Sequence, residues 1–225
     1  MLELDVPLTA QAERLVELLE AHITPARRQR IESVLAERTF TVVPVLDGIY
    51  DQGNVAAVLR STEALGFGGV HVIESLDIFK KSQRISQGAE KWLEVERWPS
   101  ASECGRALKE RGFQIVATHL EAAVPIEAID FTRPTAMVFG NERDGVSEQM
   151  LEMADVRCVI PMLGFVQSFN ISVAGAISLY HIVRDRIARQ GHHGDLSERE
   201  RAILRAVYYV RALKTPERLV PRLLA

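Results

Sequence analysis

From Val159 to Tyr180 the chain reads Val-Ile-Pro-Met-Leu-Gly-Phe-Val-Gln-Ser-Phe-Asn-Ile-Ser-Val-Ala-Gly-Ala-Ile-Ser-Leu-Tyr. A short apolar run stops at Pro161, a tight segment with Gly164 and Ser168 follows, and then Ile171, Ala174, Ala176, Ile177, Tyr180 and Val183 recur at helical spacing. Either Ser168 or Asn170 can cap that helix, which leaves its first N–H groups free to meet a ligand. Ala174, Gly175, Ala176 and Ser178 leave little side chain on much of the helix, so other backbone can approach closely. A helix this slim and apolar is normally buried. Taken alone, the stretch fits an ordinary core strand-turn-helix unit.

Its surroundings narrow the choice. Val70 to Ile73, Leu93 to Arg97, Gln114 to Thr118, Thr135 to Phe139 and Val156 to Ile160 read as strands. Helices 55–65 (with Asn54 as its expected cap), 100–112 (opened by the capping box Ser100-Ala-Ser-Glu103), 147–153 and 168–190 fall between and after them. Strand and helix exchange places every ten to fifteen residues or so, the pattern of an α/β domain with a mostly parallel sheet. Phe40 to Leu46 is β-rich but carries Pro44, which suggests an edge strand or a bulge. Residues 77–92 are polar and aperiodic and read as a surface excursion. Helices are expected at both ends: 9–22 and 25–37 before the sheet, and a helix from Ser197 to about Leu213 after a Gly-containing linker. The expected organisation is an N-terminal helical extension over 1–38, the α/β domain over 39–190 and a basic helical extension over 191–225.

Composition excludes several classes. Apolar residues make up 47% and charged residues 25%, with no run of eighteen apolar residues, so neither a disordered chain nor a membrane helix is indicated. The N-terminus lacks the basic start and apolar core of a signal peptide. Cys104 and Cys158 are far apart and have no ligand neighbours, which fits a reducing, cytoplasmic location and makes a disulfide framework or metal site improbable. Net charge is −3, yet residues 184–222 hold ten Lys/Arg against five Asp/Glu, and Arg27, Arg28 and Arg30 form a second basic cluster. Basic ends on an acidic body can bind phosphate; on charge alone they can equally be solvated helix faces.

Gly66-Phe-Gly68-Gly69 is not a dinucleotide fingerprint. It follows a helix, and His71 stands where a third spaced glycine belongs, which counts against a nicotinamide oxidoreductase. Three other segments place polar residues at strand mouths, where open α/β sheets bind ligands. These are Gly53-Asn54-Val-Ala-Ala-Val-Leu59-Arg60, then Phe139-Gly140-Asn141-Glu142-Arg143-Asp-Gly145-Val-Ser147, then the opening stretch with Ser168 and Asn170. Singly, each has a plain reading as a surface arginine, an ordinary turn or a cap.

Together, in this order and spacing, they resemble the three motifs of the SpoU/TrmH branch of the SPOUT superfamily of methyltransferases, over about residues 27–187. Gly-Ala-Glu-Lys91-Trp92 and the N-terminal Arg-Arg-Gln-Arg-Ile-Glu segment look most like the tRNA (guanosine-2′-O-)-methyltransferases of that branch. Departures are mild: Val146 where leucine is usual, Phe169 for leucine and Ile171 for valine. The resemblance implies a Rossmann-like sheet whose C-terminal part, about 137–187, is threaded into a deep trefoil knot. It further implies a homodimer packed through the 168–190 helices and an active site completed across that dimer. S-adenosylmethionine would lie against Thr118, Leu120, Gly140, Ile160, Leu163 and Phe169. Arg60, Asn54, Glu142, Ser168 and Asn170 would carry methyl transfer to an RNA ribose, and Arg27, Arg28, Arg30 and Lys91 would contact tRNA. In that scheme Asn54 holds Arg60 and the ribose, and Glu142 orients Asn54 or Arg60. The expected target is the D-loop guanosine of tRNA. Ribosomal RNA, another tRNA nucleotide, or RNA binding without catalysis are the alternatives.

Overall fold

The computed structural model describes residues 6–73, 88–121 and 123–224, so most of the expected 77–92 excursion lies outside the described residues. The chain divides into two compact units, one made of residues 39–193 and the other of residues 1–38 together with 194–225.

Among its described residues the larger unit holds a parallel sheet of seven strands: β1 (Val42–Asp47), β2 (Gly69–Ile73), β3 (Glu94–Trp98), β4 (Gln114–Thr118), β5 (Val124–Pro125), β6 (Thr135–Phe139) and β7 (Val156–Val159). Their order across the sheet is β3-β2-β1-β6-β4-β7-β5. Among the described residues α3 (Gln52–Ala64), α4 (Ala101–Glu110) and α5 (Glu148–Met153) lie between strands in the chain, and α6 (Ile171–Gln190) follows the last of them. Side chains alternate between the two faces of each strand. Val42 and Leu46 of β1, with Val70, Val116, Met137 and Phe139, therefore pack under Val55, Val58, Leu59, Leu179 and Ile182 of α3 and α6. Val43 and Val45, with Ile115, Ala136 and Val138, pack under Ala101, Cys104, Leu108 and Met150 of α4 and α5. A sheet buried on both faces needs the near-continuous apolar strands seen in this sequence.

Pro44 does not mark an edge or a bulge. β1 is an inner strand, paired with β6 through Pro44↔Met137, while its ladder with β2 begins only at Val45↔His71. The proline is tolerated because one of its two flanking ladders starts after it. Gly68 has an equally local explanation, since a Cβ there would lie 2.5 Å from the Phe40 ring. On α6 the expected slimness serves close helix packing: a Cβ on Gly175 would reach to 3.1 Å of Val58 in α3. Near its C-terminus, buried Arg186 donates to the carbonyls of Phe131 (2.9 Å) and His193 (3.1 Å). Arg186→Ala is expected to cost about 2–4 kcal/mol in urea denaturation, because two buried carbonyls lose their donor and a cavity opens.

The smaller unit comprises α1 (Val6–Glu20), α2 (Pro25–Ala36), α7 (Glu198–Ala212) and α8 (Pro216–Leu224). The two sequence-terminal segments are thus one body. Ala12, Leu15 and Val16 pack on Ile203 and Ala206, and Arg205 makes a two-pronged pair with Glu32 at 2.6 and 2.8 Å. α8 was not expected from the sequence. Much of the C-terminal basic charge is engaged locally: Arg189 pairs with Asp185 and Arg201 with Glu198, and Arg199 donates to Thr9. Lys214, Arg218 and Arg222 are exposed.

Candidate active site

Parallel strands deliver their C-terminal ends to one edge of the sheet, and there the loops after β4, β6 and β7 converge. They enclose a cavity of about 710 Å³. Its walls include Leu151, Val159, Ile160, Met162 and Phe169, and its rim carries Glu121, Glu142, Arg143 and Asp144. Size and build are those of a small-molecule site: apolar walls, backbone edges and a few polar groups. Cys158 also lines it, but burial pushes its thiol up to about 12, so it remains protonated and is no nucleophile at neutral pH.

The loop after β6 is fixed by its own backbone. Asn141 and Gly145 exchange two N–H···O bonds of 3.0 and 3.1 Å, and Asn141 Oδ1 accepts from the N–H groups of Arg143 and Asp144, both at 2.8 Å. Gly145 supplies the left-handed conformation (φ 73°) that turns the chain back. Directly after it, the buried carboxylate of Asp47 at the end of β1 accepts from Ser147 N–H at 2.8 Å. On the β4 side, His119 N–H donates to the Cys158 carbonyl at 2.9 Å, and Glu121 N–H donates to His119 Nδ1 at 3.0 Å.

Three segments distant in sequence meet at this edge. Asn54 Nδ2 donates to Glu142 Oε1, while Asn54 Oδ1 accepts from Asn170 Nδ2 at 3.3 Å. Asn170 is at the same time the cap of α6, its Oδ1 accepting from Ser172 N–H at 3.0 Å. Asn54 itself is not a cap. Asp51 takes that role for α3, its Oδ1 accepting from Asn54 N–H at 2.8 Å, and this frees the Asn54 amide to face Glu142.

Of the residues expected to contact a cofactor, Thr118, Leu120, Gly140, Ile160 and Phe169 line the cavity; Leu163 is fully exposed and does not. Ser168 and Asn170 line it too. Arg60 is exposed on α3, outside that lining, and no hydrogen bond or ion pair joins it to Asn54 or Glu142 within the chain. Within one protomer the Asn54 amide meets Glu142 and Asn170 and not Arg60. On the helical unit Arg27 and Arg30 are exposed and Arg28 pairs with Glu20, while on the α/β unit Lys91 stands 5.3 Å from the centre of the Trp92 ring. His119 and Glu121 lie outside the segments the sequence pointed to, while Arg143, Asp144 and Gln167 lie inside them but have no role assigned from sequence. The usable signal was an Asn four residues before a glycine, a turn that must present its middle residues outward. Among the described residues no cluster of His, Cys, Asp and Glu could hold a metal ion, and no helix is long and apolar enough to cross a membrane.

Comparison with known proteins agrees with this architecture. Residues 41–180 match the model of the SpoU rRNA Methylase family. The tRNA (guanosine(18)-2′-O)-methyltransferase of Thermus thermophilus is 41% identical over 165 residues, covering 73% of this chain and 85% of that protein. The 23S rRNA (guanosine-2′-O-)-methyltransferase RlmB of Vibrio vulnificus is 33% identical over 175 residues, covering 76% of this chain and 71% of that protein. Among solved structures, the A. aeolicus TrmH/SpoU tRNA modifying enzyme superposes with a TM-score of 0.73 at 33% identity, covering 84% of this chain and 98% of that one. The SpoU methyltransferase AviRb from Streptomyces viridochromogenes, solved in complex with the cofactor AdoMet, gives 0.61 at 30% identity, covering 68% of this chain and 59% of that one. Motifs, sheet order and cavity lead to one statement of kinship: this chain belongs to the SpoU methylase family.

Proposed function

We propose that this protein transfers a methyl group from S-adenosylmethionine to the 2′-hydroxyl of guanosine 18 in the D-loop of tRNA, the nucleotide named for its Thermus relative. The observation that carries the reading is the meeting of the cavity with the Glu142–Asn54–Asn170 chain of hydrogen bonds. The cavity's volume and apolar walls fit the cofactor, and Gly140 is among the residues that line it.

When bound, S-adenosylmethionine supplies an electrophilic methyl group on a sulfonium. The walls formed by Ile160, Met162 and Phe169 keep the reacting end dry, which favours a transition state in which charge is lost. Glu142 fixes the Asn54 amide, and Asn170 fixes its other end, so Asn54 presents one orientation to the ribose. Arg60 stays cationic at neutral pH and clamps the substrate phosphate and the attacking hydroxyl, with that phosphate accepting the hydroxyl proton.

Arg60 lies outside the cavity of its own chain, which supports an active site shared between two copies. The outward side of α6 offers the surface: Val173, Ile177 and Tyr180 form a stripe at helical spacing with 44, 37 and 58% of their areas exposed. Nearby in sequence, Leu163, Phe165 and Val166 are also exposed. Ile177→Asp with Tyr180→Asp is expected to yield a monomer by sedimentation and to abolish methyl transfer; an active monomer would contradict the shared site. We further infer a trefoil knot over about 137–187, supported by the way α6 returns to pack on α3. An experimental backbone that straightens when drawn from both ends would contradict it.

The RlmB relative favours a second reading, the same chemistry on ribosomal RNA. Incubating the protein and labelled cofactor with tRNA and 23S transcripts in parallel separates the two, tRNA labelling alone being expected.

A further inference from the structure

We propose that Arg143 binds the RNA phosphate next to the target ribose, from the same protomer that supplies the cavity; this rests on the RNA methyltransferase reading above. The tip Glu142-Arg143-Asp144 is held by four backbone-directed bonds, two between Asn141 and Gly145 and two into Asn141 Oδ1. Its base is tied to the sheet through Asp47 and Ser147. The loop backbone is therefore ordered before binding, and only side-chain rotamers remain to be fixed. Glu142 is engaged by Asn54. Arg143, one residue on, lines the same cavity and is exposed, and among the described residues no hydrogen bond or ion pair engages its guanidinium.

Charge gives that guanidinium its task. The other charged side chains on the rim are Glu121, Glu142 and Asp144, which repel a polyanion. An RNA ribose nevertheless has to reach this edge with its phosphates on either side. Among the described residues lining the cavity Arg143 is the one Lys or Arg, and its planar fork matches two phosphate oxygens. Arg60 and Arg143 would then grip the backbone from different protomers.

The test is steady-state kinetics of wild type, Arg143→Ala and Arg143→Lys on an unmodified tRNA transcript at several salt concentrations, with S-adenosylmethionine affinity measured separately by calorimetry. For Arg143→Ala, KM for tRNA is expected to rise about tenfold and the salt slope of RNA binding to fall by about 1, while cofactor affinity holds. Arg143→Lys keeps the salt slope and recovers part of the KM. An unchanged KM and slope in Arg143→Ala overturns the inference, and so does a loss of cofactor affinity, which would put the guanidinium on the cofactor carboxylate. Since wild type is assayed beside the variants, an inactive wild type marks failure of the enzymatic reading itself, whereas an active one matched by Arg143→Ala marks failure of this inference alone.

Discussion

Arg60→Ala is expected to lower turnover on tRNA by at least about 10²-fold, with S-adenosylmethionine affinity unchanged within about twofold. The split follows from position. Arg60 lies outside the cavity lining of its own chain, and no hydrogen bond or ion pair to its guanidinium occurs among the described residues. Its loss should leave both fold and cofactor site intact. Arg60→Lys should fail nearly as badly, because an ammonium cannot hold a phosphate oxygen and a hydroxyl in one plane. Single-turnover rates and calorimetric cofactor titration check both halves. A lysine variant working at the wild-type rate would remove the clamping role.

Gly140→Ala is the second large effect. An added Cβ would sit 1.9 Å from the Gly145 carbonyl carbon and 2.1 Å from both the Gly145 oxygen and the Val146 nitrogen. These are backbone atoms in a loop closed by its own hydrogen bonds, so no rotamer change relieves the overlap. The loop must open, which withdraws Glu142 from Asn54 and deforms the cavity. Cofactor affinity is expected to fall by at least about tenfold, with a stability loss of about 1–3 kcal/mol or more. Gly164→Ala is the control, since nothing lies within 4 Å of its added Cβ. Equal cofactor affinity in the two variants would contradict the assigned loop geometry.

Much of the α/β unit is legible in the chain because its signals are local. Ser100 and Ser147 cap the helices expected of them, as Ser197 does in the helical unit. Strands β2, β3, β4, β6 and β7 fall within one residue of the expected runs, whereas β1 begins two residues after Phe40 and the two-residue β5 was not expected. Reading failed where two residues compete within one turn, or where distant segments meet. Asp51 and Asn54 are both good cap residues, and propensity cannot say which side chain the fold sends elsewhere. Pro44 reads as an edge signal, yet its tolerance depends on where a neighbouring ladder happens to begin. The basic C-terminal segment reads as open charge, although Arg205 turns to Glu32 across 173 residues of sequence and Arg186 is buried on carbonyls. For the site, motif residues identified the edge but not its wiring. The direction of the Asn54 amide, the outward turn of Leu163 and the placement of Arg143 on the rim all depend on packing that no spacing encodes.

Methyl transfer to one ribose of tRNA can be measured directly. The protein is incubated with labelled S-adenosylmethionine and an unmodified tRNA transcript, and the labelled nucleotide is then mapped. A single 2′-O-methylguanosine at position 18 of the D-loop is expected. No incorporation, or label on a base instead of a ribose, would contradict it.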